Sequence, residues 1–293
     1  MARDFRVGIM FDREQPPEQL TAFARLVEDG GADDLWLVED LSWGGSIAAA
    51  ATVLANTQRL RVGIGLCPAP LRNPALLAME LATLARLHPG RLAAGIGHGV
   101  PQWMRQVGAW PKSPLALLEE TAHALQTLLR GQELTAHGKH VTIDGLRLVH
   151  PPEQVPPVLI GAMGPRTLRL AGRVGEGSIL VEGLDPKHLA ATRAVVEEGR
   201  AERTEPGPHE TVALVYVHVS DDPDLSHVTG PVAAELSAVL DVPVEEIFFA
   251  AGPPAKVAED LQSLHEAGVD TFALHLVGED QFEQARRVLD ALC

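Results

Sequence analysis

Eight short apolar segments, alternating with helical patterns, constrain this chain more than any other feature. They are FRVGIMF (5–11), DLWLVE (34–39), LRVGIGL (60–66), RLAAGIG (91–97), PVLIGA (157–162), GSILVE (177–182), TVALVYVHV (211–219) and TFALHLV (271–277). Between most of them apolar residues recur three and four apart, as in PEQLTAFARLVEDGG and PALLAMELATLARLHPG. Both stretches close on glycine, which suits a helix C-terminus. Near-continuous apolar strands separated by helices imply parallel strands buried on both faces. Eight such units in 293 residues predict an α/β protein built as a single (β/α)8 TIM barrel, for which this length is ordinary. A doubly wound open sheet is the alternative topology.

Two regions interrupt the rhythm. LTAHGKHVTIDGLRLVHPPEQVPP (134–157) reads as a short hairpin before strand five, with a proline-rich lead into that strand. Its His137, His140 and His150 lack the spacing of metal ligands and read as solvated loop residues. The stretch 220–254 is an acidic loop plus helical material, an insertion between strands seven and eight. With 46% hydrophobic residues the chain can bury a core without covalent staples, and its two cysteines, Cys67 and Cys293, form no disulfide or zinc pattern. A formal net charge of -15 argues against nucleic acid as a partner, because neutralising phosphates takes clustered Lys and Arg. No apolar run approaches the length of a membrane span, and the opening MARDFRVGIMFDRE is charged within a few residues. Neither a membrane partner nor a signal peptide is therefore expected, and a reducing cytoplasm fits best.

In barrels of this kind the chemistry sits at the C-terminal ends of the strands. Strand one ends at Met10, Phe11 and Asp12, and strand two in VEDLSWGG. Strand three runs into a stiff corner, RVGIGLCPAPLRNP (61–74). Strand four ends in GIGHGVPQWM, with His98 between two glycines, strand five in IGAMGPR, and strand six at Glu182. No G-x-S-x-G elbow, strand-end lysine or H-E-x-x-H motif is present. The ends carry glycines, one tryptophan, one histidine and a pair of acids. Glycines let a backbone approach a ligand closely, which suits a large planar redox cofactor. In IGAMGPRTLRLAGRVGEG (160–177), Gly161 and Gly164 open a turn and Pro165 suits a first helical position. The free N–H groups of that helix start suit an anion, and Arg166 can add a bidentate phosphate contact. The same turn also serves as a plain strand-to-helix connection.

The block RLRVGIGLCPAPLRNPALLAMELATLARLHPGRLAAGIGHG (59–99) resembles the core of the luciferase-like monooxygenase superfamily, TIM barrels that use a reduced flavin or the deazaflavin coenzyme F420. ADDLWLVEDLSW, LIGAMGPRTLRLAGRVGEGSI and AGPPAKVAEDLQSLHEAGVDTFAL resemble further family segments, in the family's order. Among subgroups the chain looks most like the F420-type oxidoreductases. The resemblance implies one luciferase-like domain over 1–293 and an enzyme that moves a hydride between F420 and a small organic substrate. An FMN-dependent monooxygenase and a non-enzymic cofactor-binding relative are the alternatives. It also implies a bulge at the end of strand three, often with a non-prolyl cis peptide, that backs the cofactor ring. Gly65–Leu66 matches that position best, and Leu66–Cys67 next.

By the same resemblance the cofactor cleft comprises Glu39, Trp43, Gly65, Leu66, Cys67, Gly97, Gly161, Ala162, Met163, Gly164 and Arg166. F420-type members commonly carry an acid followed by His after strand two. Here the pair is Glu39–Asp40, and the place of a Glu after the strand-four glycines is Val100. Proton transfer is therefore expected of His98, with Asp40 orienting the substrate. As neighbours on a strand, Glu39 and Asp40 would face opposite sides, so only one reaches the mouth. Trp43 either stacks on the cofactor or packs, and Cys67 reads as a small packing residue. Arg72 and Asn73 either touch the cofactor tail or cap the third helix. The expected partner is a small molecule, and a homodimer is compatible with this reading.

Overall fold

Alternation along a strand sorts its side chains between two layers. In β1 (Arg6–Met10), β2 (Asp34–Leu37), β3 (Arg61–Pro68) and β4 (Leu92–Gly97), residues such as Val7, Ile9, Leu35, Leu37, Val62, Ile64, Ala94 and Ile96 join the buried layer shared with the helices. The residues between them face the other way. Met10, Trp36 and Ala93 meet Leu159, Ile179, Val212 and Ala273 in a separate interior cluster. Two apolar layers on one sheet are what a closed, helix-wrapped barrel requires. The computed structural model, which describes residues 3–293, has that architecture.

Barrel strands five to eight are β7 (Val158–Ala162), β8 (Gly177–Leu180), β9 (Glu210–Val219) and β11 (Thr271–Leu276). The strands run β1-β2-β3-β4-β7-β8-β9-β11, and β11 returns to β1, every pairing parallel. The chain is a (β/α)8 TIM barrel. All eight expected segments are strands, although the first, second, sixth and eighth end earlier than read, at Met10, Leu37, Leu180 and Leu276. The hairpin is present as β5 (Leu134–His137) and β6 (Thr142–Leu146). The insertion holds α8 (Ser226–Leu240) and an extra strand that the sequence pattern did not announce, β10 (Ala250–Gly252), parallel to β9.

The remaining helices are α1 (Leu20–Asp29), α2 (Ser46–Asn56), α3 (Pro74–Leu87), α4 (Pro101–Gln106), α5 (Pro114–Leu129), α6 (Pro165–Val174), α7 (Pro186–Ala201), α9 (Pro254–Glu266) and α10 (Gln281–Leu292). Six of these, α3 to α7 and α9, begin on proline, whose missing N–H costs nothing in a first turn.

The interior is layered. Its floor is polar: Asp34, fully buried, accepts from Arg61 Nε and Nη2 at 2.9 Å each and from Arg6 Nη2 at 2.6 Å. Arg61 also reaches Glu210 at 2.6 Å, and Thr271 Oγ1 donates to the same carboxylate at 2.6 Å. Burial works against ionising Glu210, but the Arg61 guanidinium outweighs it and holds that carboxyl low. Above the floor sits Trp36, with no exposed surface. A Cβ on Gly8 would stand 2.6 Å from Trp36 Cδ1, and one on Gly63 would collide with the same ring. The glycines Gly8 and Gly63 thus make room for an indole inside the barrel. The next layer up opens at the mouth.

Candidate active site

The end of β3 is irregular. Ile64 pairs with Ala94 and Cys67 with Ile96, so Gly65 and Leu66 bulge opposite the single Gly95. The Gly65–Leu66 peptide is cis and non-prolyl, at the position the resemblance favoured. Leu66 leans over the two neighbouring strands. A Cβ on Gly97 of β4 would stand 2.6 Å from Leu66 Cδ2, and one on Gly161 of β7 would collide with it. These two glycines therefore admit Leu66, and the ledge that results backs the mouth. By contrast, an added Cβ at Gly44, Gly45 or Gly164 would meet nothing within 4 Å, so these glycines border open space.

Gly164 caps α6 with its backbone alone, for no side chain caps that helix. Arg166 lies exposed in the first turn, as does Met163 just before the helix, while Ala162 is buried at the end of β7. An uncapped helix start, an open glycine and an exposed arginine fit an anionic group. With the Leu66 ledge and the open Gly44–Gly45 loop beside Trp43, the mouth fits a planar group with an anionic tail.

The acids of the second loop have separate partners. Because β2 stops at Leu37, Glu39 and Asp40 sit on a loop, and strand alternation does not govern them. Glu39 is tied to Arg72, accepts from the Ser46 hydroxyl, and accepts from Ser46 N at 3.2 Å, which caps the start of α2. Arg72 also lies 3.4 Å from Glu80 of α3, and Asn73 Oδ1 caps α3 by accepting from Ala75 N at 2.9 Å. Glu39, Arg72 and Asn73 thus brace the corner. Cys67 packs beneath it, 2% exposed, with Sγ 3.3 Å from Ser46 Oγ, and burial pushes its thiol up to about 12.

Asp40 accepts from Arg13 Nη1 at 2.7 Å. The same guanidinium lies 4.8 Å above the ring of Trp43, which is 40% exposed and 5.8 Å from the ring of Trp103 on α4. Asp40, Arg13 and the two tryptophans form one wall of the mouth. His98 is different. Its Nε2 is 3.0 Å from Thr167 Oγ1 on α6, its Nδ1 is buried without a hydrogen-bond partner, and burial pushes its pKa down. Burial favours the neutral ring of His98, and one of its nitrogens is engaged by Thr167. The Thr167 contact links the end of β4 to the start of α6.

A cluster that was not anticipated lies across the mouth. His275, the fifth residue of β11, places Nε2 2.8 Å from Asp12 Oδ2 and Nδ1 3.5 Å from Glu182 Oε1. Its cross-strand neighbour Tyr216 of β9 packs ring to ring at 4.8 Å. Burial alone would neutralise His275, but the two carboxylates outweigh it and push its pKa up to about 9. Asp12 is held low in turn, against burial, by its hydrogen bond to His275. Asp12, Tyr216 and His275 line a recess of about 620 Å³ together with Arg13, Glu235 and Glu279. A larger recess, about 850 Å³, lies over β10 and the starts of α8 and α9, and no expected site residue lines it.

The profile of the luciferase-like monooxygenase family matches residues 4–227. An F420-dependent glucose-6-phosphate dehydrogenase of Microbacterium testaceum is 30% identical over 282 residues, 91% of this chain and 78% of the relative. The coenzyme F420-dependent tetrahydromethanopterin reductase of Methanopyrus kandleri superposes with a TM-score of 0.87 at 19% identity, over 99% of each chain. The oxygenating constituent of 3,6-diketocamphane monooxygenase from Pseudomonas putida, solved with FMN, superposes with a TM-score of 0.78 at 16% identity, over 99% of each chain. The two superpositions establish a shared fold. Among the described residues, no helix is long and apolar enough to cross a membrane.

Proposed function

The chain belongs to the luciferase-like monooxygenase family, and from that premise we propose that it is an F420-dependent oxidoreductase acting on a small organic substrate. The observation that carries this reading is the ledge at the end of β3, where the Gly65–Leu66 bulge fills the space left by Gly97 and Gly161 and backs an open, glycine-bordered mouth. The F420-dependent relative at 30% identity supports the choice of cofactor. Bound there, a deazaflavin would supply hydride transfer. The backbone of α6 and Arg166 would hold its phosphate, and Leu66 would back its ring. Trp43 and Trp103, steadied by Arg13 and Asp40, would border the substrate and exclude water. Glu39, Cys67 and His98 keep the ledge and the α6 turn in place. The same reading takes 1–293 as one domain in a reducing compartment, of which Met1 and Ala2 lie outside the described residues. In support, α10, the last element, packs on α1, the first helix.

Fluorescence titration of the purified protein with F420 and with FMN tests this directly. Saturable binding of F420, followed by anaerobic turnover, is expected. The shared fold of the FMN-bound monooxygenase carries the second reading. Binding of FMN alone, with product formation that requires oxygen, would establish that reading instead.

A further inference from the structure

We propose that His275 is the proton donor of this site, with Asp12 as its positioning residue: Nε2–H is locked onto Asp12, while Nδ1 carries the proton delivered to the substrate. The inference rests on the functional reading above. Both residues of the expected pair are tied to other groups at the rim, whereas His275 stands between two carboxylates. Asp40 is engaged by Arg13 at 2.7 Å, and His98 is engaged by Thr167 at 3.0 Å with its other nitrogen buried. Hydride transfer to a carbonyl or imine carbon leaves charge on the oxygen or nitrogen, and a positioned acid is worth roughly 10²–10⁴-fold.

The geometry around His275 supplies that acid. Alternation along β11 sends Phe272 and Leu274 to the helix layer and Ala273 to the interior, so His275 follows Ala273 inward, one step nearer the mouth. Its two nitrogens are held unequally. At 2.8 Å, the Asp12 contact is a full hydrogen bond that fixes the ring. At 3.5 Å, the Glu182 contact lies at the limit of hydrogen bonding, so the Nδ1 proton is retained by charge more than by a bond. The charged and titratable groups that line the recess with His275 are Asp12, Arg13, Glu14, Tyr216, Glu235 and Glu279, and Glu182 faces Nδ1. Asp12 follows β1, Glu182 follows β8, and Tyr216 on β9 stays a neutral phenol because burial and Glu182 both oppose its ionisation. Arg13 and Glu235 stand farther out on the wall of the recess, 4.0 Å from one another. The arrangement keeps the ring charged while leaving one N–H loosely held.

The step balances as a two-electron reduction. A bound reduced deazaflavin would supply the hydride for the new C–H bond and be oxidised in doing so. As the C=O or C=N π pair moves to the heteroatom, the Nδ1 proton of His275 would form the new O–H or N–H bond, leaving His275 neutral until solvent reprotonates it. In the reverse direction the neutral ring accepts the proton.

Two measurements test this. In the first, histidine NMR on the cofactor-free protein follows the His275 ring. It is expected to titrate near pH 9, and Asp12→Asn is expected to lower that value by about one unit or more, as losing an adjacent opposite charge does. In the second, reduced F420 is mixed anaerobically with acetone, cyclohexanone and 1-pyrroline as probe acceptors. His275→Gln should bind F420 as the parent does yet lose roughly 100-fold or more in turnover, and Asp12→Asn should move the alkaline fall of the rate to lower pH. Loss of less than about threefold in His275→Gln overturns the proposal. So does an unmoved pH profile in Asp12→Asn, or a parent protein that binds F420 and reduces none of the probes. Failure to bind F420 at all would instead strike the functional reading beneath it.

Discussion

Two histidines at opposite ends of the barrel give the stability of this protein opposite slopes with pH. His275 at the mouth is pushed from 6.5 up to about 9 by Asp12 and Glu182 against burial. His209, just before β9 at the floor, is pushed from 6.5 down to about 4 by burial and by Arg203, whose Nη2 lies 3.0 Å from Nδ1. Between pH 6.5 and 9 the folded state holds a proton on His275 that the unfolded chain has lost. That contribution is complete below 6.5 and disappears as pH rises through 9. Between pH 4 and 6.5 the unfolded chain binds a proton that His209 refuses in the folded state, so stability falls as pH drops through that window. Each effect is worth at most about 3 kcal/mol. For a chain of 293 residues that is a change of about 5 °C in melting temperature. Circular dichroism melts from pH 5 to 9 are expected to peak near 6.5. His275→Gln should flatten the alkaline limb and His209→Asn the acid limb. An alkaline limb that runs parallel in His275→Gln and in the parent would refute the charged, clamped state assigned to His275.

Arg61→Met leaves the fully buried Asp34 with Arg6 alone and should cost about 3–5 kcal/mol in denaturant unfolding, while F420 affinity is unaffected because the floor lies away from the mouth. Arg166→Ala should weaken a phosphorylated cofactor about tenfold, roughly 1.4 kcal/mol, and leave the dephosphorylated form unchanged; fluorescence titration of both forms separates a phosphate contact from a general loss of fold. Gly161→Ala puts a Cβ into the Leu66 side chain, and the ledge must move. A several-fold loss of F420 affinity with an unchanged melting temperature is the expected result.

What was legible in the sequence was what depends on neighbours along the chain. The eight strands, the hairpin and the insertion follow from period and punctuation, and the β3 corner from its own residues. Less legible was what fills the space beside a small residue. Gly97 and Gly161 read as places where a ligand could approach, and Leu66 leans into the space beside both, while the room that Gly8 and Gly63 leave for Trp36 was not read from the sequence at all. Nothing local in RVGIM says that an indole from the next strand will lie across it. Glu39 and Asp40 were placed on a strand that ends at Leu37, so alternation was applied to residues that it does not govern.

His275 is the instructive omission, because part of its signal was present. Ala273 is interior, and period two then sends residue 275 to the mouth as surely as it sends Trp36 to the middle. The missing part was closure. In an open sheet the first and last strands stand at separate edges, and Asp12 and His275, 263 residues apart in the chain, have no reason to meet. In a closed parallel barrel β11 lies against β1, with Ile9 opposite Leu274, and the residues just beyond that pair are brought to one rim. The prediction of a barrel therefore contained the pairing of an acid after strand one with a histidine at the end of strand eight. It becomes visible only when the strand ends are read as a ring, with the last compared to the first.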